Sequence, residues 1–344
     1  MKQLNEIAWN VTEEEYRESQ LFSYSLLAKY ERGGFNILKS LQEREESPAL
    51  SFGSLVDCML TDPERFNKDY YVVDLPVLSD TLKTIANELK IYGPLCTDEN
   101  ILMVADKYEY YKNWKPETRV KSIREKCGYY LEIFKLATDR EIVDSQTYNR
   151  ASSCVQAIKT NPATNIYFMS FNELKPFDSR MKYTNYYQLK FKATLLDDGI
   201  TYKCMLDCLH IDWFDKTIQP IDLKTTGKPE WEFAESFVKW SYQLQARLYC
   251  RILKAYLKGT EYEDFKILPF KFVVVNDQTL TPLIWEYPDC DKFGNIGYNK
   301  DIIFRDPFEI AHELSHYLKD SPKVPDGILE QGINNLVTYL NVKR

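Results

Sequence analysis

The chain has 344 residues, 44% of them hydrophobic and 14% aromatic, with 51 acidic against 44 basic side chains and a formal charge of −7. So large an apolar share supplies a substantial core and excludes a disordered chain. The acidic balance excludes a protein that coats nucleic acid over its whole surface, although a local basic groove is compatible with it.

In chain order, Thr12 before Glu13-Glu14-Glu15 reads as a helix N-cap followed by acids that suit the positive end of a helix. A second helix is expected over Ser23 to Arg32, stopped by Gly33-Gly34, and Ser47-Pro48 opens a third that carries Gly53 and Asp57. From Phe66 to Ile166 the spacing predicts helices over Thr81–Tyr92, Asp98–Lys112, Pro116–Ala137 and Asp139–Thr160, with a brief strand at Tyr71-Val72-Val73 and a stop at Asn161-Pro162. Tyr108, Tyr110, Tyr111, Lys112, Trp114 and Lys115 interleave aromatic and basic side chains there. Such a run either packs as core with a solvated edge or stacks and cradles a single strand of nucleic acid.

A strand from Tyr183 to Leu196, a turn at Asp197-Asp198-Gly199 and a strand carrying Asp207 to Trp213 come next. After a turn at Asp215-Lys216, an apolar strand ends in Asp222-Leu223-Lys224. Residues two apart on a strand share a face, so Asp222 and Lys224 point the same way. Asp207 interrupts an apolar run, and a carboxylate there must be paired, solvated or metal-bound. One long helix is expected from about Glu230 to Leu257, with Gln245 and Tyr249 four apart on one face. Strands at Phe270–Val275 and Pro282–Tyr287 and helices over Asp301–Lys319 and Asp326–Asn341 finish the chain. The expected organisation is an N-terminal helical segment (1–44), a core helix (45–65), a helical insert (66–166), a sheet-and-helix core (167–290) and a C-terminal helical extension (291–344).

Two convergent carboxylates can hold a hard cation such as Mg2+, and a nearby ammonium can orient water or stabilise a developing anion. In this order and spacing Asp207, Asp222-Leu223-Lys224-Thr225-Thr226 and Gln245…Tyr249 resemble the PD-(D/E)xK nuclease superfamily, and within it the exonuclease VIII and RecB-like group. The resemblance implies an α/β fold with a small mixed sheet flanked by helices. It also implies Mg2+-dependent hydrolysis of DNA, with Mn2+ as a substitute metal. Asp207, Asp222, Lys224, Gln245 and Tyr249 would be catalytic. Asp57, Asp207, Asp222 and the Leu223 carbonyl would hold metal, and Thr225, Thr226, Gln245, Tyr249 and Gly53 would meet the substrate. Two positions depart from the family's pattern: Asp57 stands where relatives carry His, and Gln188 where they often carry Glu. Those departures favour, as an alternative, a nuclease-like module that binds DNA or protein without cutting. By the same resemblance the reaction would be exonucleolytic resection of double-stranded ends in recombination or repair, in a bacterial or phage-infected cytoplasm. A single-strand annealing recombinase is the implied partner, and an oligomer is compatible.

A rival motif lies in His312-Glu313-Leu314-Ser315-His316, which matches H-E-x-x-H. On a helix that spacing puts both imidazoles on one face for zinc with Glu313 as base, as in a metalloprotease. No H-x-x-G-x-x-H extension follows and Glu330 is only a conceivable third ligand, so this reading ranks below the nuclease. The eight cysteines include no C-x-x-C pair, and none follows Cys290. They read as reduced and mostly buried, with no iron–sulfur cluster expected. Neither an apolar leader at the N-terminus nor a membrane span is expected.

Overall fold

The computed structural model describes residues 2–41, 47–74, 77–137, 140–168, 182–195 and 199–319. Leu4–Ile7 (α1), Glu13–Glu18 (α2), Tyr24–Gly33 (α3) and Pro48–Thr61 (α4) open the chain. Thr12 caps α2 in a reciprocal box, its hydroxyl accepting from the Glu15 N–H while the Glu15 carboxylate accepts from the Thr12 N–H. Ser47 caps α4 without the reciprocal bond, its Oγ accepting from the Leu50 N–H at 3.2 Å, with Pro48 fixing the first helical φ. The next elements are Pro63–Asp69 (α5), Tyr70–Val73 (β1), Asp80–Leu89 (α6), Asp98–Lys107 (α7), Pro116–Ala137 (α8), Glu141–Asp144 (β2), Ser145–Thr160 (α9) and Asn165–Phe168 (α10). Then follow Tyr183–Thr194 (β3), Thr201–Asp212 (β4), Thr217–Thr226 (β5), Phe233–Lys239 (α11), Tyr242–Leu257 (α12) and Lys266–Ile267 (β6). Phe270–Asn276 (β7), Leu283–Tyr287 (β8), Ile296–Gly297 (β9), Ile303–Phe304 (β10) and Pro307–Lys319 (α13) complete the described elements.

Two compact units result, one of residues 1–61 with 153–344 and the other of residues 62–152. In the first, a six-stranded mixed sheet runs β3-β4-β5-β7-β8, with β6 beside the start of β5. β5 and β7 are parallel, which requires a crossover, and α11 and α12 supply it. β5 is buried from Ile218 to Leu223, as a strand covered on both faces must be. The core on the α12 side gathers Phe191, Tyr202, Leu206, Leu244, Leu248, Phe270 and Phe272. In the second unit α6, α7 and α8 close a separate core around Ile85, Leu89, Ile101, Val104 and Ile123.

Several expected boundaries are corrected. The helix expected over Asp139–Thr160 begins only at Ser145, because Glu141–Asp144 pairs in parallel with Tyr70–Val73. The helix expected to reach Lys112 ends at Lys107, where the chain enters a turn. The single helix expected from Glu230 to Leu257 is three pieces, a 3-10 turn over Glu230–Glu232, α11 and α12. Ser241 breaks it with φ +56, and the Tyr24 hydroxyl donates to the carbonyl of Trp240 at the break. The helix expected from Asp301 starts at Pro307, the residues before it forming β10. The helix expected over Asp326–Asn341 lies outside the described residues, as do Leu196, Asp197 and Asp198.

All eight cysteines are free thiols, and seven of them are buried. Among the described residues no helix is long and apolar enough to cross a membrane.

His210 on β4 is buried, its Nδ1 2.7 Å from the Asn185 Oδ1 and its ring against Tyr167 and Tyr183. Burial pushes the imidazole down to about 4, so the folded protein keeps it neutral while the unfolded chain protonates near pH 6.5. Its contribution to stability is therefore complete above pH 6.5 and is lost as pH falls through 6.5 towards 4, by up to about 3 kcal/mol. Urea midpoints measured between pH 7.5 and 4.5 should fall accordingly, and His210→Phe should flatten the slope.

Candidate active site

The hydrogen-bond ladders of three adjacent strands break on the same row. β4 and β5 pair antiparallel from Asp212/Thr217 to Cys208/Ile221 and then separate, so that Asp207 and Asp222 face the mouth of a fork. β5 meanwhile keeps its parallel pairing to β7 through Thr226. The Leu223 N–H, released from β4, donates instead to the Asp207 Oδ2 at 2.8 Å. On the other side, β3 pairs with β4 at Tyr187/Cys208 and Leu189/Leu206, but the pair between them, Gln188/Asp207, is missing. Gln188 has φ +54, a left-handed conformation that side chains rarely adopt within a strand.

α4 meets this row. The Gln188 amide donates to both carboxylate oxygens of Asp57, at 3.0 and 2.9 Å, and to Thr61 Oγ1 at 3.3 Å. Thr61, one turn after Asp57, donates in turn to the Asp57 carbonyl and Oδ1. A Cβ added to Gly53 would stand 3.2 Å from Thr225 Oγ1, so glycine lets α4 lie close against the end of β5. The alternation of β5 then sorts its residues, with Thr225 towards α4 and Asp222 and Lys224 towards α12.

On the α12 side, the Gln245 amide donates to the Asp222 Oδ1 at 2.5 Å. Asp222 Oδ2 is buried, receives no hydrogen bond, and lies against the Lys224 ammonium. That ammonium also sits 4.7 Å from the centre of the Tyr242 ring. Burial pulls the Lys224 pKa down, but Asp222, with Tyr242, Tyr24 and Asp207 behind it, outweighs burial and holds it above the usual lysine value. Lys224 is therefore an ammonium at neutral pH. The Asp207 carboxyl is pushed well above the carboxylate range, first by burial and then by the negative charges of Asp222 and Asp57. Asp207 thus lies within electrostatic reach of Asp57, Asp222 and Lys224, and Lys224 within reach of Asp222 and Asp207.

These acids form a hard, mutually repelling oxygen donor set, and a divalent cation would relieve that repulsion. Its donors are already engaged with the protein, Asp57 with Gln188 and Asp222 with Gln245 and Lys224. Among the described residues no group of three or more His, Cys, Asp or Glu side chains is placed to hold a metal ion. By donor chemistry the set fits Mg2+ or Mn2+.

Tyr249, one turn after Gln245, lies within electrostatic reach of Asp222 and Asp207. It lies in the core with its ring against Phe270, and burial raises its phenol further from ionisation. Thr226 closes the following turn, its hydroxyl accepting from the Lys228 N–H. Three residues beside the cluster were not singled out from the sequence: Thr61, Tyr24 and Tyr242. Helical spacing could have shown two of them, because Thr61 is four residues after Asp57 and Tyr242 three before Gln245. Tyr24 is brought in only by the tertiary fold.

The H-E-x-x-H motif lies elsewhere, on α13. His312 and His316 are exposed, while Glu313 accepts from the Tyr30 hydroxyl at 2.7 Å and pairs with Arg305. A carboxylate so engaged is not placed as a general base, and Glu330 lies outside the described residues.

A family described as a PDDEXK-like domain of unknown function (DUF3799) matches residues 23–282, which hold every element of the fork and α12. The chain belongs to that family, and with it to the PD-(D/E)xK nuclease superfamily, whose members generally use divalent metals. No curated protein matches the chain.

Proposed function

We propose that the protein is a Mg2+-dependent deoxyribonuclease, accepting Mn2+, that acts as an exonuclease on double-stranded ends in recombination or repair. The observation that carries this reading is the fork between β4 and β5, where Asp207 interacts with Asp57, Asp222 and Lys224. Asp207, Asp222, the Leu223 carbonyl and Asp57 are the proposed ligands. A divalent ion held there supplies positive charge to a phosphodiester and lowers the pKa of a bound water.

The remaining work falls to the chain itself. Lys224, held as an ammonium, donates to the attacking water or to a phosphate oxygen and stabilises the charge that develops on it. Gln245 fixes the Asp222 carboxylate, and Tyr249 gives α12 the packing that keeps Gln245 in place. Gly53, Thr225 and Thr226 form the proposed substrate edge, where the backbone of α4 comes close to β5. A single-strand annealing recombinase as partner, and a bacterial or phage-infected cytoplasm as setting, accompany this reading by family resemblance.

A second reading is favoured by one observation: both oxygens of Asp57 are occupied by the amide of Gln188, where relatives often carry an acid. On that reading the module binds DNA or a protein without cutting. Incubation of the purified protein with end-labelled linear duplex and Mg2+ separates the two. Progressive release of nucleotides supports the nuclease, whereas an intact duplex at high protein concentration with either metal supports the binding module.

A further inference from the structure

The aromatic and basic run after α7 is not used by the fork, and its geometry differs from that of a core segment. Tyr111 and Trp114 lie face to face, with ring centres 4.1 Å apart and planes 10° from parallel, yet they are 46% and 44% exposed. The Lys126 ammonium lies 5.8 Å from the Tyr111 ring, and among the described residues Trp114 has no ring contact besides Tyr111. The stack Lys126, Tyr111, Trp114 therefore ends, among the described ring contacts, on a Trp114 that is 44% exposed.

The turn that presents it is built. Glu109 and Tyr111 both have positive φ, +47 and +44. The backbone is closed by Tyr110 N–H on the Ala105 carbonyl and Trp114 N–H on the Tyr111 carbonyl. Arg119, buried and paired with Asp106, donates from Nε to the Tyr110 carbonyl. Tyr111 meets the core through an edge contact with the buried Tyr110, while the exposed faces of the stack are held outward by a clamped, left-handed turn.

The charge around the stack runs against that of the whole chain. From Lys107 to Lys126 there are seven basic residues against three acidic ones. Lys112 pairs with Glu109, Lys121 with Glu125 and Arg124 with Asp98, but among the described residues Lys115 and Lys126 have no carboxylate partner. Lys126 donates to the Tyr110 hydroxyl at 3.4 Å, and an exposed aromatic face beside ammonium groups without a carboxylate partner suits a base that stacks and a backbone phosphate that follows it.

We infer that the Tyr111–Trp114 stack is a docking platform for single-stranded DNA, with a base adding as the next layer on Trp114 and phosphates reaching Lys115 and Lys126. A duplex offers no free base face, so the platform discriminates in favour of the single strand. The choice of DNA over RNA rests on the proposed nuclease function; the choice of a single strand does not.

The test is fluorescence anisotropy of the full chain with a labelled oligothymidylate of about 20 nucleotides, in EDTA so that cleavage plays no part. Replacing Tyr111 and Trp114 together by Leu should weaken binding by about tenfold or more, while Trp114→Phe, which keeps a ring, should stay within about threefold of the parent. Replacing Lys115 and Lys126 by Gln should reduce the salt dependence of binding. Unaltered thermal melting in each variant excludes a folding defect. The inference is overturned if the double Leu variant binds like the parent, if it loses blunt duplex to the same degree, or if an RNA strand of equal length competes better than DNA. Failure of the duplex to be cleaved in Mg2+ with this binding pattern intact would count against the nuclease reading alone.

Discussion

Asp222→Asn is expected to lower Mg2+-supported cleavage of linear duplex by about a thousandfold or more while the protein remains folded. Asparagine keeps the volume and an oxygen for the Gln245 amide, but removes the charge that faces Lys224. The buried ammonium is then left without its counter-charge. The Lys224 side chain is 19% exposed and still faces the Tyr242 ring, so the loss of stability should be about 2 kcal/mol rather than that of a fully buried pair. Lys224→Met should be as damaging to cleavage, and the double variant should cleave no worse than either single one, since the two groups act as a unit. Its stability should recover, because the unpaired charge is gone. Purified variants compared by end-label release and by urea midpoints would test both halves. Cleavage that survives in the double variant would place the reaction at other residues.

Asp306→Ala is expected to have the largest effect on stability, about 3 to 5 kcal/mol, with lost cleavage as a consequence. Asp306 is buried between two arginines of α12. Its Oδ2 accepts from Arg247 at 2.7 Å, from Arg251 at 3.1 Å and from the Gly294 N–H at 2.8 Å, and its Oδ1 accepts from the Phe308 N–H. Arg247 has no exposed surface and also donates to the carbonyls of Lys292, Gly294 and Arg305. Removing the acid strands two buried cations. Arg247 and Arg251 occupy the face of α12 turned away from Gln245, so the same contact that anchors the segment from Lys292 to Asp306 also fixes the helix that holds Asp222. Asp306→Asn, which keeps the shape but not the charge, should fall between the parent and Ala in denaturant midpoint.

The parts legible from the sequence were those set by short periods. Asp222 and Lys224 share a face because a strand repeats every two residues, and Asp57 could be placed relative to Gly53 because both sit on one helix. Gln188 was visible as a departure from a pattern, but its left-handed backbone and its grip on Asp57 were not, because they arise where three strands meet. The pairing of Tyr70–Val73 with Glu141–Asp144 was hidden for the same reason: four-residue strands so far apart in sequence leave little local signal inside helical surroundings. Helical spacing continues on both sides of Ser241, so nothing in the pattern revealed the break that brings Tyr242 beside Lys224. The H-E-x-x-H match shows the converse. Its spacing does put His312 and His316 on an exposed helix, but Glu313 is tied to Tyr30 and Arg305, contacts that no motif encodes.

The proposed site requires the carboxylates of Asp57, Asp207 and Asp222 to share one divalent cation beside Lys224. Titration of Mn2+ into the metal-free protein, followed through the paramagnetic resonance signal of the free ion, tests it most directly. Saturable binding is predicted, weakened by about tenfold or more in each of Asp57→Asn, Asp207→Asn and Asp222→Asn and unchanged in His312→Ala. No saturable binding to the parent, or binding indifferent to all three Asn substitutions, would contradict the account.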